Sequence, residues 1–207
     1  MSVTRRVKAL SKLLPEWAWN QEKRRPIAVF NPGRPERVRK ADTAPVYTVF
    51  DFNEKELEER QLPDEKACRI YLDNGRVTWI NVDGLQKQAV EKLTTHYNVH
   101  PLVVEDILSI GQRAKMDEVE NVVFCLLPML YYNEGTGEIE AEQVSIVLGT
   151  NFVISFQEDP ERDVFDPVRE RIRSGNIKIR QRSADYLCYS LIDAVVDSYF
   201  GIIEKIS

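Results

Sequence analysis

Short apolar runs along the chain predict the strands of a central sheet. Residues 46–50, 76–82 and 152–156 are such runs, bounded by polar or turn residues. Residues 119–130 and 144–148 are apolar on both faces, which is typical of central strands that are buried on both sides. The middle of the molecule is therefore expected to be a sheet.

Turn residues and one proline refine this prediction. Residues 67–72 also have a strand pattern, and Asn74-Gly75 after them predicts a tight hairpin to residues 76–82. Pro128 has no N–H to donate, so we expect a bulge or an edge position at that point.

Four segments predict helices around the sheet. Apolar residues recur every four positions at Leu85, Ala89, Leu93 and Tyr97. This helix should stop before Pro101, where a second, short helix should begin. Residues 53–60 and 164–174 are also expected to be helical, and Gly175 is a suitable stop for the latter. Strands mixed with helices on both faces predict an α/β protein, a three-layer α/β/α sandwich with a mixed central sheet.

A long helix is predicted from residue 183 to residue 207, with Ser183 as its cap. Because successive residues of an α-helix are rotated by 100° around its axis, the side chains of this segment divide into two faces. The apolar face contains Leu187, Leu191, Ala194, Val195, Ile202 and Ile206, and the polar face contains Ser190, Asp193, Asp197 and Glu204. A row of carboxylates is either a solvated acidic surface or a place for a hard cation such as Mg²⁺.

Charge divides the chain into a basic arm and an acidic body. Residues 1–45 hold 11 Lys/Arg and 4 Asp/Glu, a net charge of +7, whereas the rest holds 17 and 29, a net charge of −12. The prolines of the arm predict a flexible segment. The domain expected to fold is residues 46–182, followed by the helix of residues 183–207. The negative body repels nucleic acid, and no nucleic-acid partner is expected.

Composition limits the class of protein further. The longest apolar run, residues 122–132, is shorter than a membrane-spanning helix and contains Pro128, and no signal peptide is evident. Cys68, Cys125 and Cys188 lie within apolar segments and are expected to be reduced core thiols. A cytoplasmic location is therefore expected.

A second acidic pair lies in the short helix that begins at Pro101. Glu105 and Asp106 are adjacent in an otherwise apolar segment. Their place in the early turns is explained either by the helix dipole or by a role as oxygen ligands for a cation. Periodicity alone does not join this pair to the acids of the long helix.

Several blocks of residues resemble the CorA family of Mg²⁺ transporters. They are the segment from His100 to Leu108, Gln112-Arg113-Ala114-Lys115, Glu142-Gln143-Val144-Ser145, residues 165–173 and residues 185–200. The blocks occur in the family's order and cover about residues 81–207. Ala114 stands where the family commonly has proline. The family's stalk helix, two transmembrane helices and Gly-Met-Asn signature have no counterpart in this sequence.

The resemblance implies a function and a set of metal ligands. This chain would be the cytoplasmic domain of a homopentamer at the inner face of the membrane, held there by helices outside the chain. Regulatory Mg²⁺, or Co²⁺ in its place, would bind between identical subunits and keep the pore closed. Motif positions assign Glu105, Asp106 and Asp193 to these metal sites, and Asp197 is added from its position on the helix. No enzymatic activity is implied.

Three alternatives remain beside this hypothesis. A transporter of the same superfamily that moves Zn²⁺ would have an equivalent domain. A zinc metalloenzyme would use His96 and His100, but Tyr97 follows His96 where a His-Glu-x-x-His motif needs glutamate. A nucleic-acid-binding module would use the basic arm with Trp17 and Trp19.

Overall fold

A seven-stranded sheet with helices on both faces makes up the part of the chain that the computed structural model describes, residues 44–135, 137–159, 162–175 and 177–206. The strands are β1 (Val46–Phe52), β2 (Leu57–Leu62), β3 (Val77–Asp83), β4 (Lys115–Val119), β5 (Val122–Asn133), β6 (Glu138–Leu148) and β7 (Phe152–Gln157). The helices are α1 (Lys87–His96), α2 (Pro101–Leu108), α3 (Asp166–Arg173), α4 (Ile177–Arg180) and α5 (Ala184–Ile206), with a 3₁₀-helix at Ala67–Tyr71.

The sheet is mixed. Its strand order is β2-β1-β3-β7-β6-β5-β4, and β3 and β7 are the one parallel pair among the described strands. Every other neighbouring pair is antiparallel. The sheet therefore consists of two antiparallel groups that meet at β3 and β7.

Alternation along each strand builds one hydrophobic layer on each side of the sheet. Trp79 and Val153 point to the side covered by α3, α4 and α5, which we call the α5 face. Ile80 and Ile154 point to the side covered by α1 and α2, which we call the α2 face. Helices on both faces confirm the predicted three-layer α/β/α sandwich.

Most of the predicted elements lie where their apolar patterns place them. The strands of residues 46–50 and 152–156 are β1 and β7, and both predicted helices around Pro101 are present. Gly175 follows α3 with a φ of 70°, a left-handed conformation that glycine adopts without steric cost. Pro128 lies at an edge position, because the pairing of β5 with β4 extends only to Leu126.

Three predictions of local structure were wrong. Residues 53–60 include strand β2 rather than a helix, because Leu57–Leu62 pairs with β1 at the edge of the sheet. The predicted strand of residues 67–72 is instead a 3₁₀-helix at Ala67–Tyr71, and β3 pairs with β1 and β7 rather than with a hairpin partner. The apolar run from residue 119 divides at a turn, since Glu120 has a φ of 52° between β4 and β5.

The long helix α5 packs its apolar residues on the sheet. Leu187, Leu191 and Val195 are buried on the α5 face. Ser190 is buried as well, with 1% exposure, so its assignment to the polar face was wrong; its hydroxyl donates to the Tyr186 carbonyl. By length and composition alone, Ala184–Lys205 is apolar enough to cross a membrane, a test that the core helix of a soluble protein also passes.

The prediction for the cysteines is confirmed, whereas the prediction for the basic arm concerns residues that the structure mostly does not describe. Cys68, Cys125 and Cys188 are buried free thiols, as expected. The basic arm of residues 1–45 lies outside the described residues except for its last two residues.

Candidate functional site

Helix α2 presents Glu105 and Asp106 at the surface. Pro101 occupies its first turn, where a missing N–H costs nothing, and the His100 Nδ1 accepts the Leu102 N–H at 3.1 Å. Val103 and Ile107 are buried against the α2 face. Glu105 is exposed and Asp106 is partly exposed, so both carboxylates reach the surface.

The Asp106 carboxylate already has a positively charged partner. The Lys115 Nζ lies 2.6 Å from Asp106 Oδ2, and the Gln112 Nε2 donates to Oδ1 at 3.0 Å. Lys115 begins β4, and its Nζ also lies 3.9 Å from Asp117 Oδ2. The Asp106 side chain is 28% exposed. A cation that binds Asp106 must compete with the Lys115 ammonium group.

Glu105 lies on the wall of a cleft between α1 and α2. The cleft has a volume of about 640 Å³. Lys87 and Glu91 of α1 line the opposite wall, and their charged atoms are 3.8 Å apart. Glu105 is exposed and is accessible to a hydrated ion from solvent.

Asp193 and Asp197 lie one turn apart on α5. Asp193 is half-buried, and the Tyr189 hydroxyl lies 3.4 Å from its Oδ1. The negative charge of Asp193 raises the pKa of Tyr189. Asp197 is exposed. Both carboxylates remain accessible to water, as the helical spacing predicted.

The structure does not bring the two acid pairs together. Glu105 and Asp106 belong to a helix on the α2 face, whereas Asp193 and Asp197 belong to the helix of the α5 face. Across the described residues, no group of three His, Cys, Asp or Glu side chains is placed to hold a metal ion. The chemistry of the donors fits Mg²⁺, which prefers carboxylate oxygen, but each pair supplies only part of an octahedral shell.

The two histidines of the metalloenzyme alternative have separate roles. His96 lies in the last turn of α1, and His100 is the N-cap residue of α2. Because the His100 Nδ1 accepts a backbone N–H, that nitrogen is used in capping. The structure gives these residues no shared metal site within its described part.

Sequence reasoning missed a buried polar network at the end of β3 and β7. The Asp83 carboxylate accepts hydrogen bonds from Asn81 and from Gln157, which lies 74 positions along the chain. Burial raises the pKa of Asp83. Glu142 is buried, and its Oε1 accepts the N–H groups of Glu158 and Asp159. Only tertiary structure joins these residues, so no local pattern could have revealed them.

A family comparison decides the class of protein. The model of a family described as "CorA-like Mg2+ transporter protein" matches residues 74–207, nearly two thirds of the chain. The chain belongs to this family. The cobalt/magnesium transport protein CorA of Thermotoga maritima is 45% identical over 159 residues, which are 76% of this chain and 45% of that protein. The chain thus spans less than half of that relative, which is named as a transporter and not as an enzyme.

Solved structures agree with the CorA family in fold. The soluble domain of CorA from Methanocaldococcus jannaschii matches with a TM-score of 0.56 at 15% identity, over 79% of this chain and 60% of that one. The ZntB cytoplasmic domain of Vibrio parahaemolyticus matches with a TM-score of 0.53 at 14% identity, over 77% and 63%. At these identities the likeness shows the fold, which both of those domains share.

Proposed function

We propose that this chain is the cytoplasmic regulatory domain of a CorA-type Mg²⁺ transporter. The observation that carries the proposal is membership of the CorA family together with the 45% identity to a cobalt/magnesium transport protein. In the parent protein, helices outside this chain would cross the membrane and conduct the ion. This domain would bind Mg²⁺, or Co²⁺ in its place, and control the pore from the cytoplasmic side.

The regulatory sites in this proposal lie between identical subunits. Glu105 and Asp106 would face one neighbouring subunit, and Asp193 and Asp197 would face the other, in a homopentamer. Two observations support this arrangement: the acid pairs are on opposite faces of the sheet, and neither pair forms a metal site within the described residues. An ion that needs more ligands than one domain offers favours contact with a second domain.

Charge provides the gating mechanism. With Mg²⁺ bound, the carboxylates of neighbouring domains are neutralised and the closed arrangement is stable. When cytosolic Mg²⁺ falls, the ion leaves, the carboxylates repel one another, and the open arrangement gains population. The ion shifts the equilibrium only by its difference in affinity for the two arrangements.

Limited proteolysis of the full-length parent across a Mg²⁺ titration tests the proposal. Bound Mg²⁺ should protect the closed state from cleavage, since a ligand stabilises the state that it binds. We expect Asp106→Ala and Asp193→Ala to move the midpoint of protection to higher Mg²⁺ concentration, with a smaller effect for Asp197→Ala. Unchanged midpoints for both Asp106→Ala and Asp193→Ala would contradict the regulatory assignment.

A matched control separates metal binding from general electrostatics. Asp73 is exposed and lies outside α2 and α5, so Asp73→Asn should leave the midpoint unchanged. A parallel titration with Co²⁺ and Zn²⁺ compares the ions at the same sites.

A further inference from the structure

Strand β6 supplies a side chain that touches helix α2. Gln143 lies on the α2 face of the sheet, because its neighbour Val144 packs on the α5 face and successive strand residues alternate. Its Nε2 donates to the Asp106 carbonyl oxygen at 3.2 Å and, more weakly, to the Ile107 carbonyl oxygen at 3.5 Å. Gln143 thus joins the sheet to the last turn of the helix that carries Glu105 and Asp106.

The amide group of Gln143 can meet α2 in one orientation only. Both groups that it contacts there are carbonyl oxygens, which accept hydrogen bonds, so the amide nitrogen must point at them. The other amide atom, Oε1, is buried and has no hydrogen-bond partner in the part of the chain that the structure describes. A buried acceptor without a donor is costly. An apolar side chain of the same length would avoid that cost, so the benefit of glutamine lies in what its N–H groups hold.

The end of α2 needs such a donor from outside the helix. The last carbonyl groups of a helix have no partner within it. In α2 the Glu105 carbonyl accepts the Ser109 N–H at 2.9 Å and the Ser109 hydroxyl at 2.7 Å, and the next carbonyl, that of Asp106, accepts from Gln143. Helix α2 has only eight residues, and so short a helix depends on contacts with the rest of the protein for its stability.

Asp106 is held through three of its oxygen atoms. Lys115 and Gln112 contact the two carboxylate oxygens, whereas Gln143 contacts the backbone oxygen. A cation that binds the carboxylate must displace the Lys115 ammonium group. The backbone contact does not compete with the cation, because Gln143 leaves both carboxylate oxygens free of its own hydrogen bonds. It can therefore persist while the carboxylate changes partners.

We propose that Gln143 is a positioning residue for the metal ligand Asp106. It fixes the backbone of α2 on the sheet, so the carboxylate is already in place when Mg²⁺ replaces the Lys115 ammonium group. A ligand group that is held in its binding geometry loses less conformational freedom on binding, which increases affinity. The inference rests on the proposed function and adds to it a residue that does not touch the ion.

The substitution Gln143→Met tests this role in the full-length parent. Methionine keeps the length of the side chain and removes the N–H donors. We expect the midpoint of Mg²⁺ protection in limited proteolysis to rise about tenfold, since groups that orient metal ligands typically change metal affinity by about 10–100-fold. Gln61→Met, on the exposed part of the opposite edge strand β2, should leave the midpoint unchanged. Gln143→Leu, which also lacks the donors, should give the same rise and takes the place of the methionine variant if that protein does not fold.

A double variant separates positioning from a general loss of stability. If Gln143 acts through Asp106, Gln143→Met in an Asp106→Ala background should add no further shift, because the ligand is already absent. An equal added shift in both backgrounds would mean a merely structural role and would overturn the proposal. If Asp106→Ala alone moves the midpoint and Gln143→Met does not, the positioning role is wrong and the proposed function stands. If neither substitution moves it, both are wrong.

Discussion

At the scale of single residues, the charge on α2 is balanced by a side chain from another element. Lys115 of β4 forms an ion pair with Asp106, and both side chains are partly exposed. Such pairs contribute about 0–1 kcal/mol to stability, so the contact is weak enough to be exchanged. Lys115 is therefore a competitor for any cation that approaches Asp106.

Replacing Lys115 should strengthen regulation by Mg²⁺. Lys115→Met removes one positive charge beside the proposed site, and about 1 kcal/mol of repulsion corresponds to roughly fivefold tighter binding. The midpoint of Mg²⁺ protection in the full-length parent should fall accordingly. Lys55→Met is the matched control, because Lys55 is exposed between β1 and β2, at the edge of the sheet opposite to β4. An unchanged midpoint in Lys115→Met would show that the ion does not meet Asp106.

Glu142 should make stability depend on pH. Burial raises the pKa of this carboxyl above its ordinary value of 4.5, so the folded state holds its proton more tightly than the unfolded state. The stability that the Glu142 carboxyl contributes is fully present below its ordinary pKa. It is lost as pH rises through the raised pKa of the folded state. Glutamine does not titrate. The stability of Glu142→Gln relative to wild type should therefore increase between pH 4 and pH 7.

Urea unfolding of both proteins at several pH values measures this difference. Glu118→Gln serves as the control, because Glu118 is exposed on β4. A constant difference between Glu142→Gln and wild type across the pH range would contradict the linkage.

The acids of the candidate site could be named from the sequence, but their contacts could not. Glu105 and Asp106 stand out because they interrupt an apolar helix, and Asp193 and Asp197 because they share a helical face. The partnership of Asp106 with Lys115 depends on how α2 lies beside β4, which local patterns do not encode.

At the scale of elements, the prediction was right where the sequence marks a buried element clearly. β1 and β7 are short, mostly apolar runs that are buried at most of their positions, and α1 buries apolar residues at a helical spacing. β2 was missed because charged residues fill an edge strand, and such charges protect a sheet edge from pairing with other chains. There, Glu59 accepts two hydrogen bonds from Arg173 of α3, a contact between distant segments.

Substitutions on the two sides of helix α5 should have very different effects on the free energy of unfolding. Leu191 is fully buried against the sheet, whereas Phe200 is 61% exposed. Leu191→Ala should lower the free energy of unfolding by about 2–5 kcal/mol, through lost burial and the cavity that remains. Phe200→Ala, on the same helix, should change it by less than about 0.5 kcal/mol. Urea denaturation compares the two, and similar losses would mean that α5 is not anchored by its apolar side.

At the scale of the whole molecule, the exposed apolar side chains are scattered. Large apolar residues with substantial exposure include Ile70, Leu102, Ile110, Phe200 and Ile203, which come from separate segments or from the last turns of α5. Single exposed residues of this kind are normal on soluble domains. Within its described part, the surface gives little apolar area for a strong association.

The 207-residue chain alone should therefore be a monomer or only weakly associated. This prediction rests on the proposed function, in which helices outside this chain would make the main contacts of the homopentamer. Sedimentation velocity with and without Mg²⁺ measures the oligomeric state. A stable pentamer at about micromolar concentration would show that the sandwich itself carries the assembly, since an interface that holds at that dilution supplies about 8 kcal/mol.

The parallel contact between β3 and β7 has a consequence for how the chain folds. β1 to β3 and β4 to β7 are each antiparallel groups, built mostly from strands close in sequence. Their junction joins Thr78 to Phe152, so a long loop must close before it forms. Contacts between distant residues slow folding. The two groups should acquire structure early, and the docking of β7 against β3 should limit the rate at which the complete sheet appears.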